Sequence, residues 1–195
     1  MTDPVLLVVG LGNPGREYED TRHNVGAWYV DALARRRGVS LSEDKKSSGL
    51  TGHFSFEGNT VRLLIPTTFM NLSGQSTAAV ANFFKIPVQQ ILVAHDELDL
   101  PPGTVRLKKG GGHGGHNGLR DMISKHGNQK DFLRLRIGIG HPGDASRVTP
   151  HVLGKPSSGD RELILRAIDE AIHHTADMLR GDIAGAMNRL NGFKA

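Results

Sequence analysis

Apolar residues in this chain fall in short unbroken runs, divided by polar loops and by stretches with helical spacing. The run PVLLVVG (4–10) is apolar throughout and rich in valine, as expected of a strand buried on both faces. A polar loop, LGNPGREYEDTRH, follows. A helix is then expected from about Asn24, burying Val25, Trp28, Tyr29, Ala32 and Leu33 and closing on basic residues and Gly38. EDKKSSG (43–49) reads as a polar connection, and GHFSFEGNTVRLLIP (52–66) as two strands about a Glu57-Gly58-Asn59 turn. TTFMNLSGQSTAAVANFFK (67–85) opens as a loop, becomes helical and stops before Pro87. QQILVAHDELD (89–99) is another buried strand, ending in acids. LPPGTVRLKK reads as a turn into a strand, residues 117–126 as a helix, and FLRLRIGIG (132–140) as an alternating strand. From about Ser157 to Leu190 the spacing of Ile164, Ile168, Ile172 and Leu179 is helical.

Apolar strands interleaved with helices predict an α/β fold: a single domain over residues 1–195, with a twisted, mixed and mostly parallel sheet and helices on both faces. The length suffices for one core. In such sheets, sites form past the carboxyl ends of strands. That rule directs attention to the loop around Asn13, to the acids around Asp96, and to the glycine-rich segment KKGGGHGGHNGLRD (108–121). They are far apart in sequence yet able to share one crevice.

Cysteine is absent, so disulfides and thiolate chemistry are excluded and a cytoplasmic location is the expectation. No run approaches the ~20 apolar residues of a membrane span, and the N-terminus lacks the basic region of a signal peptide. The net charge of +4 is modest, but its distribution is not. Residues 103–147 hold nine Lys/Arg against three Asp/Glu, leaving 15 against 17 elsewhere. A basic segment on a near-neutral body suits a polyanion partner; the plainer alternative is a solvated basic face.

GLGNPG (10–15) has the G-x-G-x-x-G spacing of a dinucleotide fingerprint, but its context fails. Pro14 lacks an N–H where phosphate needs donors, and a polar loop stands where the helix should run. A tight turn presenting the Asn13 side chain fits better. His23, at the junction of the first loop and helix, could take a proton from water if its other nitrogen were held by an acceptor such as Asp96. Equally, His23 could serve only the helix start, and Asp96 only a turn. H-G-G-H spacing invites a metal, but cysteine and H-E-x-x-H are both missing. The expectation is therefore no metal. The glycine loop could approach a bulky ligand and turn its N–H groups on an anion, or simply be a flexible lid. Asn71 and Asn117 could each read an amide. Phe69 and Met70 more often pack in a core. Arg134 and Arg136 alternate on one partly wet face of their strand, and Lys108 with Arg136 could form a phosphate clamp.

Taken together, VGLGNPGREYEDTRHNVG (9–26), PTTFMNLSG (66–74), VAHDELDLPPG (93–103), GGGHGGHNGLRD (110–121) and RLRIGIGHPG (134–143) resemble bacterial peptidyl-tRNA hydrolase. With HVLGKP (151–156) they are spread, in order, over about three quarters of the chain. The resemblance implies an α/β domain, monomeric and without cofactor, that hydrolyses the ester joining a peptide to the 3′-terminal ribose of tRNA. It implies His23 as the base, Asp96 as its orienting partner, and Asn13, Asn71 and Asn117 lining the site, with Asn13 or Asn71 donating to the oxyanion. Tyr18 and Phe69 would contact the acceptor end, Met70 the site wall and His113 the substrate. Lys108 and Arg136 match the clamp for the 5′-phosphate. One departure stands out: after HPGD the chain reads Ala145-Ser146 before Arg147, where the family often has a basic residue at once. The competing classes are an RNA-binding module, disfavoured by an aromatic content of only 5%, and a metal-dependent esterase.

Overall fold

The computed structural model describes residues 2–195. Its strands are β1 (Leu7–Gly10), β2 (Ser42–Asp44), β3 (Gly49–Phe56), β4 (Asn59–Pro66), β5 (Ile91–Glu97), β6 (Val105–Lys109) and β7 (Leu133–Gly138). Its helices are α1 (Val25–Arg36), α2 (Ser73–Phe83), α3 (Asn117–Lys125), α4 (Val148–Val152), α5 (Ser158–His173), α6 (Thr175–Arg180) and α7 (Ile183–Leu190). All seven strands join one mixed sheet in the order β2-β3-β4-β1-β5-β7-β6. The central run β4-β1-β5-β7 is parallel, and antiparallel pairings close both edges, β2 on β3 on β4 at one side and β6 on β7 at the other.

The apolar runs are continuous because the parallel strands feed two cores, one on each face. Along β1 and β5, Val8, Leu92 and Ala94 join α1, α5, α6 and α7. Their alternating neighbours Leu7, Val9, Ile91 and Val93 join α2 and α3. The period of two in a strand makes this division automatic. It also fixes the site: Asp96 faces the α1 side at the end of β5, and His95 and Glu97 face the α3 side.

The junction of α1 with the sheet is unusually close. A methyl group on Gly26 would stand 2.2 Å from the Ala94 carbonyl oxygen, and one on Gly10 would stand 2.4 Å from the Gly26 carbonyl oxygen. Only hydrogen at both positions lets the first turn of α1 lie against β1 and β5, carrying the preceding His23 to the end of β5.

Several elements depart from the sequence expectation. Ser42–Asp44 forms an edge strand where a connection was expected; its three mostly exposed polar residues carry no apolar signal. Trp28 and Ala32 are only half-buried, while Val30 and Ala34 complete the inner face of α1. The long C-terminal helical stretch is broken at Gly181, whose φ of +85° ends α6 in the left-handed region open to glycine. The direction of β6, which the sequence left open, is antiparallel to β7, with Lys108 opposite Arg134. The glycine loop therefore leaves at the amino-terminal end of β7 and must cross the sheet face to reach the carboxyl end of β5.

Candidate functional site

His23 lies in a single 3-10 turn, Arg22–Asn24, that leads into α1. Asp96 is the penultimate residue of β5 and is 4% exposed. Their side chains meet, with His23 Nδ1 donating to Asp96 Oδ2 at 2.8 Å. The second carboxylate oxygen accepts from His116 Nε2 at 2.7 Å. His116 is the N-cap of α3, and its Nδ1 accepts from the backbone N–H of Gly118 and Leu119 at 3.1 and 3.3 Å. Those acceptances assign its proton to Nε2, because a neutral imidazole carries one N–H and one lone pair. Asp96 therefore receives two imidazole N–H groups, and its pKa is held far below the usual carboxylate range. Burial opposes this, but the charges of His23 and His116 and the bonds from both outweigh it. For His23, burial pulls the pKa down, and the Asp96 charge and hydrogen bond more than compensate, leaving it raised above 6.5. With Nδ1 committed to Asp96, His23 Nε2 is the basic nitrogen, without a partner among the described residues.

Beneath the pair, His95 is buried and donates from Nδ1 to the Asp96 carbonyl oxygen at 2.9 Å. The carbonyl two residues earlier, Ala94, is taken by Leu11 N–H from the strand alongside. Asp96 lies past the end of β1, so the neighbouring imidazole supplies the donor that the sheet no longer provides. Burial, and then the nearby His116, push the His95 pKa down to about 4.

Asn13 is held as firmly. Its Oδ1 accepts from Met70 N–H at 2.7 Å. Its backbone N–H donates to Asn24 Oδ1 at 2.9 Å, and its carbonyl accepts from Asn24 Nδ2 at 2.9 Å. With the amide oxygen engaged, Nδ2 is the group left to donate. Met70 is buried against Gly118, where a methyl group would stand 2.6 Å from the Met70 sulfur and 3.1 Å from His116. That packing draws the Met70–Leu72 turn onto α3. Phe69 is 56% exposed and meets Tyr18 edge-on, with ring centroids 6.3 Å apart.

His23, Asp96, His113, His116 and Asn117 line a cleft of about 740 Å³ that continues under the glycine loop to Lys108, Arg134 and Arg136. Lys108 and Arg136 share a sheet face, one strand step apart on the diagonal. Arg136 Nε donates to Glu97 Oε1 at 2.8 Å. Arg134, expected on a partly wet face, is instead 3% exposed, its guanidinium donating to the carbonyls of Gly111, Gly112 and Lys130.

The side-chain nitrogens of His23 and His116 and an Asp96 oxygen lie within 4.8 Å of one another, a grouping compatible in composition with a divalent metal. The proton assignment argues otherwise. A metal on His116 Nε2 would move the proton to Nδ1, against the N–H groups of Gly118 and Leu119. The donor set fits a hydrogen-bonded chain better than a metal centre.

The structure thus brings His23, Asp96 and His116 into one chain, with Asn13 latched to the residue after His23 and Met70 packed against the start of α3. Asn71 is exposed on the turn packed against α3, and exposed Asn117 uses its Oδ1 to accept from Arg120 Nη1 at 2.9 Å. His113 lines the cleft but bonds only within its own loop, accepting from Gly115 N–H at 2.9 Å. Arg147 is exposed on the 3-10 turn Ala145–Arg147 at the cleft's outer edge. Sequence reasoning gave no role to His95 or Asn24, met His116 only in the H-G-G-H spacing, and placed Arg134 on a partly wet face without its loop-holding role. For His116 a signal existed: it directly precedes the helix, in the N-cap position.

A buried carboxylate orienting an imidazole, at the strand ends of a mixed α/β sheet, is an arrangement able to take a proton from water in a hydrolytic reaction. The family model for peptidyl-tRNA hydrolase matches residues 7–195. The chain is 79% identical over 195 residues to a peptidyl-tRNA hydrolase of Alcanivorax borkumensis, covering the whole of both. It is 59% identical to that of Tolumonas auensis, covering 100% of this chain and 99% of the relative. Its fold is similar to a crystal structure of peptidyl-tRNA hydrolase from Acinetobacter baumannii, with a TM-score of 0.95 at 49% identity, covering 100% of this chain and 98% of that one. The chain belongs to the peptidyl-tRNA hydrolase family, and it hydrolyses peptidyl-tRNA to release tRNA.

Proposed function

We propose that His23 Nε2 takes a proton from water as that water attacks the ester carbonyl linking the peptide to the 3′-terminal ribose. Asp96 fixes the productive tautomer and stabilises the imidazolium that forms. His116 in turn holds Asp96, so that its carboxylate cannot rotate away. The Asn13 Nδ2 donor faces the developing oxyanion, a contribution typically worth about 3–4 kcal/mol. Asn71 and Asn117 read the amide of an N-blocked substrate, with His113 on the cleft wall beside them. A free, protonated amine leaves those side chains poorly matched, which disfavours simple aminoacyl-tRNA. Tyr18 and Phe69 offer an exposed aromatic corner to the acceptor-end bases, and Met70 backs it.

Lys108 and Arg136 take the 5′-phosphate. Strand spacings of ~4.8 Å across and ~3.3 Å along the sheet put the Lys108 backbone roughly 14 Å from that of Asp96. A substrate must therefore carry both an ester and a phosphate, well separated, to use the whole cleft. Residues 1–195 act as one domain and as a monomer in the cytoplasm, with no cofactor.

The observation that carries this reading is the buried chain His23–Asp96–His116 with a basic nitrogen at the cleft. Its test is release of N-acetyl-aminoacyl groups from tRNA by the wild type and His23→Ala, with and without chelator. Chelator-resistant release that falls by orders of magnitude in the variant supports the reading. Near-normal turnover by His23→Ala removes His23 as the base.

A further inference from the structure

The buried Arg134 has no place in the mechanism above, yet it is a cation paired with no carboxylate among the described residues. Its ring-side contact is Phe132, 4.4 Å from the guanidinium carbon. Its Nη atoms donate to Gly111 O, Gly112 O and, at 3.2 Å, Lys130 O. The glycine loop is also pinned at its start, where Gly110 N–H donates to Phe132 O at 3.1 Å. A buried charge is costly unless it is paired or hydrogen-bonded, and here the loop carbonyls are what the guanidinium has in place of a carboxylate.

What the clamp does follows from peptide geometry. In a trans peptide the C=O of one residue and the N–H of the next point in opposite directions, and no peptide here is cis. Drawing in the carbonyls of Gly111 and Gly112 turns the N–H groups of Gly112 and His113 outward, away from the guanidinium. Neither N–H has an acceptor among the described residues. Lys108 Nζ packs against the same loop at Gly111, where a methyl group would stand 2.9 Å from it. Gly111 has φ +104° and Gly110 +70°, so the path to this arrangement uses backbone open mainly to glycine.

We propose that Arg134 is a positioning residue that sets the polarity of the glycine loop, aiming the N–H groups of Gly112 and His113, together with Lys108, at the 5′-terminal phosphate of the tRNA. The proposal rests on the phosphate-clamp reading of Lys108 and Arg136 and extends the clamp from side chains to backbone. Successive N–H groups with a cation beside them form an anion-binding concavity. Burial, and then the neighbouring Arg136, lower the Arg134 pKa to about 10, which still leaves it charged at neutral pH. Lysine cannot substitute, because a point donor does not hold two adjacent carbonyls in a planar fork.

The test uses Arg134→Lys, which keeps the charge, and Arg134→Met, which removes it. Amide NMR of the full-length protein titrated with inorganic phosphate follows Gly112 and His113 directly. Kinetics compare N-acetyl-aminoacyl-tRNA bearing a 5′-phosphate with the same substrate after phosphatase treatment. In the wild type, both amides should move with phosphate, and kcat/KM should favour the phosphorylated substrate about tenfold or more. In Arg134→Lys, with thermal unfolding close to wild type, the amide response and the preference should vanish together, through KM rather than kcat. A wild-type preference retained by Arg134→Lys, with its amides still responding, overturns the proposal and leaves the side-chain clamp intact. A wild type indifferent to the 5′-phosphate sinks the clamp reading itself, and the proposed ligand with it.

Discussion

Replacing Asp96 by asparagine changes one oxygen to an NH₂ and tests the hydrogen-bonded chain at its centre. The carboxylate accepts from His23 Nδ1 and His116 Nε2, at 2.8 and 2.7 Å. An amide has one acceptor and one donor to offer, so one imidazole must present a lone pair instead. His116 cannot, because its Nδ1 is already taken by the N–H groups of Gly118 and Leu119. The amide oxygen therefore turns to His116, and the NH₂ faces His23. His23 must then carry its proton on Nε2, where a base needs a lone pair. Reaction through the minor tautomer forfeits a buried hydrogen bond, about 2–3 kcal/mol, and the forming imidazolium loses a charge-assisted one, of similar size. Together these correspond to a fall in kcat of about 10³–10⁴, the size of loss the same exchange causes in a serine-protease triad. Single-turnover release of N-acetyl-aminoacyl groups from tRNA measures it. The ascending limb of the pH–rate profile adds a sign: Asp96 is what raises the His23 pKa above 6.5 against burial. In Asp96→Asn burial acts unopposed, so the limb should shift to lower pH. A variant within tenfold of wild type, or a limb moved upward, would refute the tautomer argument.

Other substitutions test the remaining parts. Asn13→Ala should lower kcat by about 10²–10³, the usual loss for an oxyanion donor, with a much smaller change in KM; an unchanged kcat would pass that role to Asn71. Lys108→Ala combined with Arg136→Ala should raise KM for intact tRNA substrates and flatten the salt dependence of binding, with short esters affected far less, and equal losses on both would argue against a phosphate clamp. Gly26→Ala should destabilise by more than about 3 kcal/mol, since its methyl group would meet the Ala94 carbonyl oxygen at 2.2 Å; urea unfolding with a shift below 1 kcal/mol would mean that α1 lifts off the sheet at little cost.

How far each feature could be read in the chain depended on how local its cause is. Strands β1 and β5 were visible because burial on both faces makes every position apolar, and Asp96 was visible as an acid at the end of such a run. β2 was not, since an exposed three-residue edge strand owes its existence to the partner alone. Arg134 read as half-wet by alternation, a rule that knows which face a residue takes but not what covers that face. The cover is the glycine loop, arriving from 22 residues away in sequence.

The sequence by itself determined the periodicities, and through them the α/β class. Its order of long motifs determined the family, and its residue types determined which chemistries were available: imidazole, carboxylate and amide, without thiol. The tertiary structure alone decided which imidazole meets the carboxylate's second oxygen, which nitrogen of His116 carries a proton, and which way the loop's peptides face. The pairings are made by hydrogen bonds between segments tens of residues apart, such as His23 with Asp96 across 73 positions, and the His116 proton is then placed by the N–H groups of Gly118 and Leu119 at the start of its helix. The antiparallel direction of β6 sends the glycine loop back over the sheet, and no local pattern encodes the direction of a strand whose partner lies elsewhere in the chain.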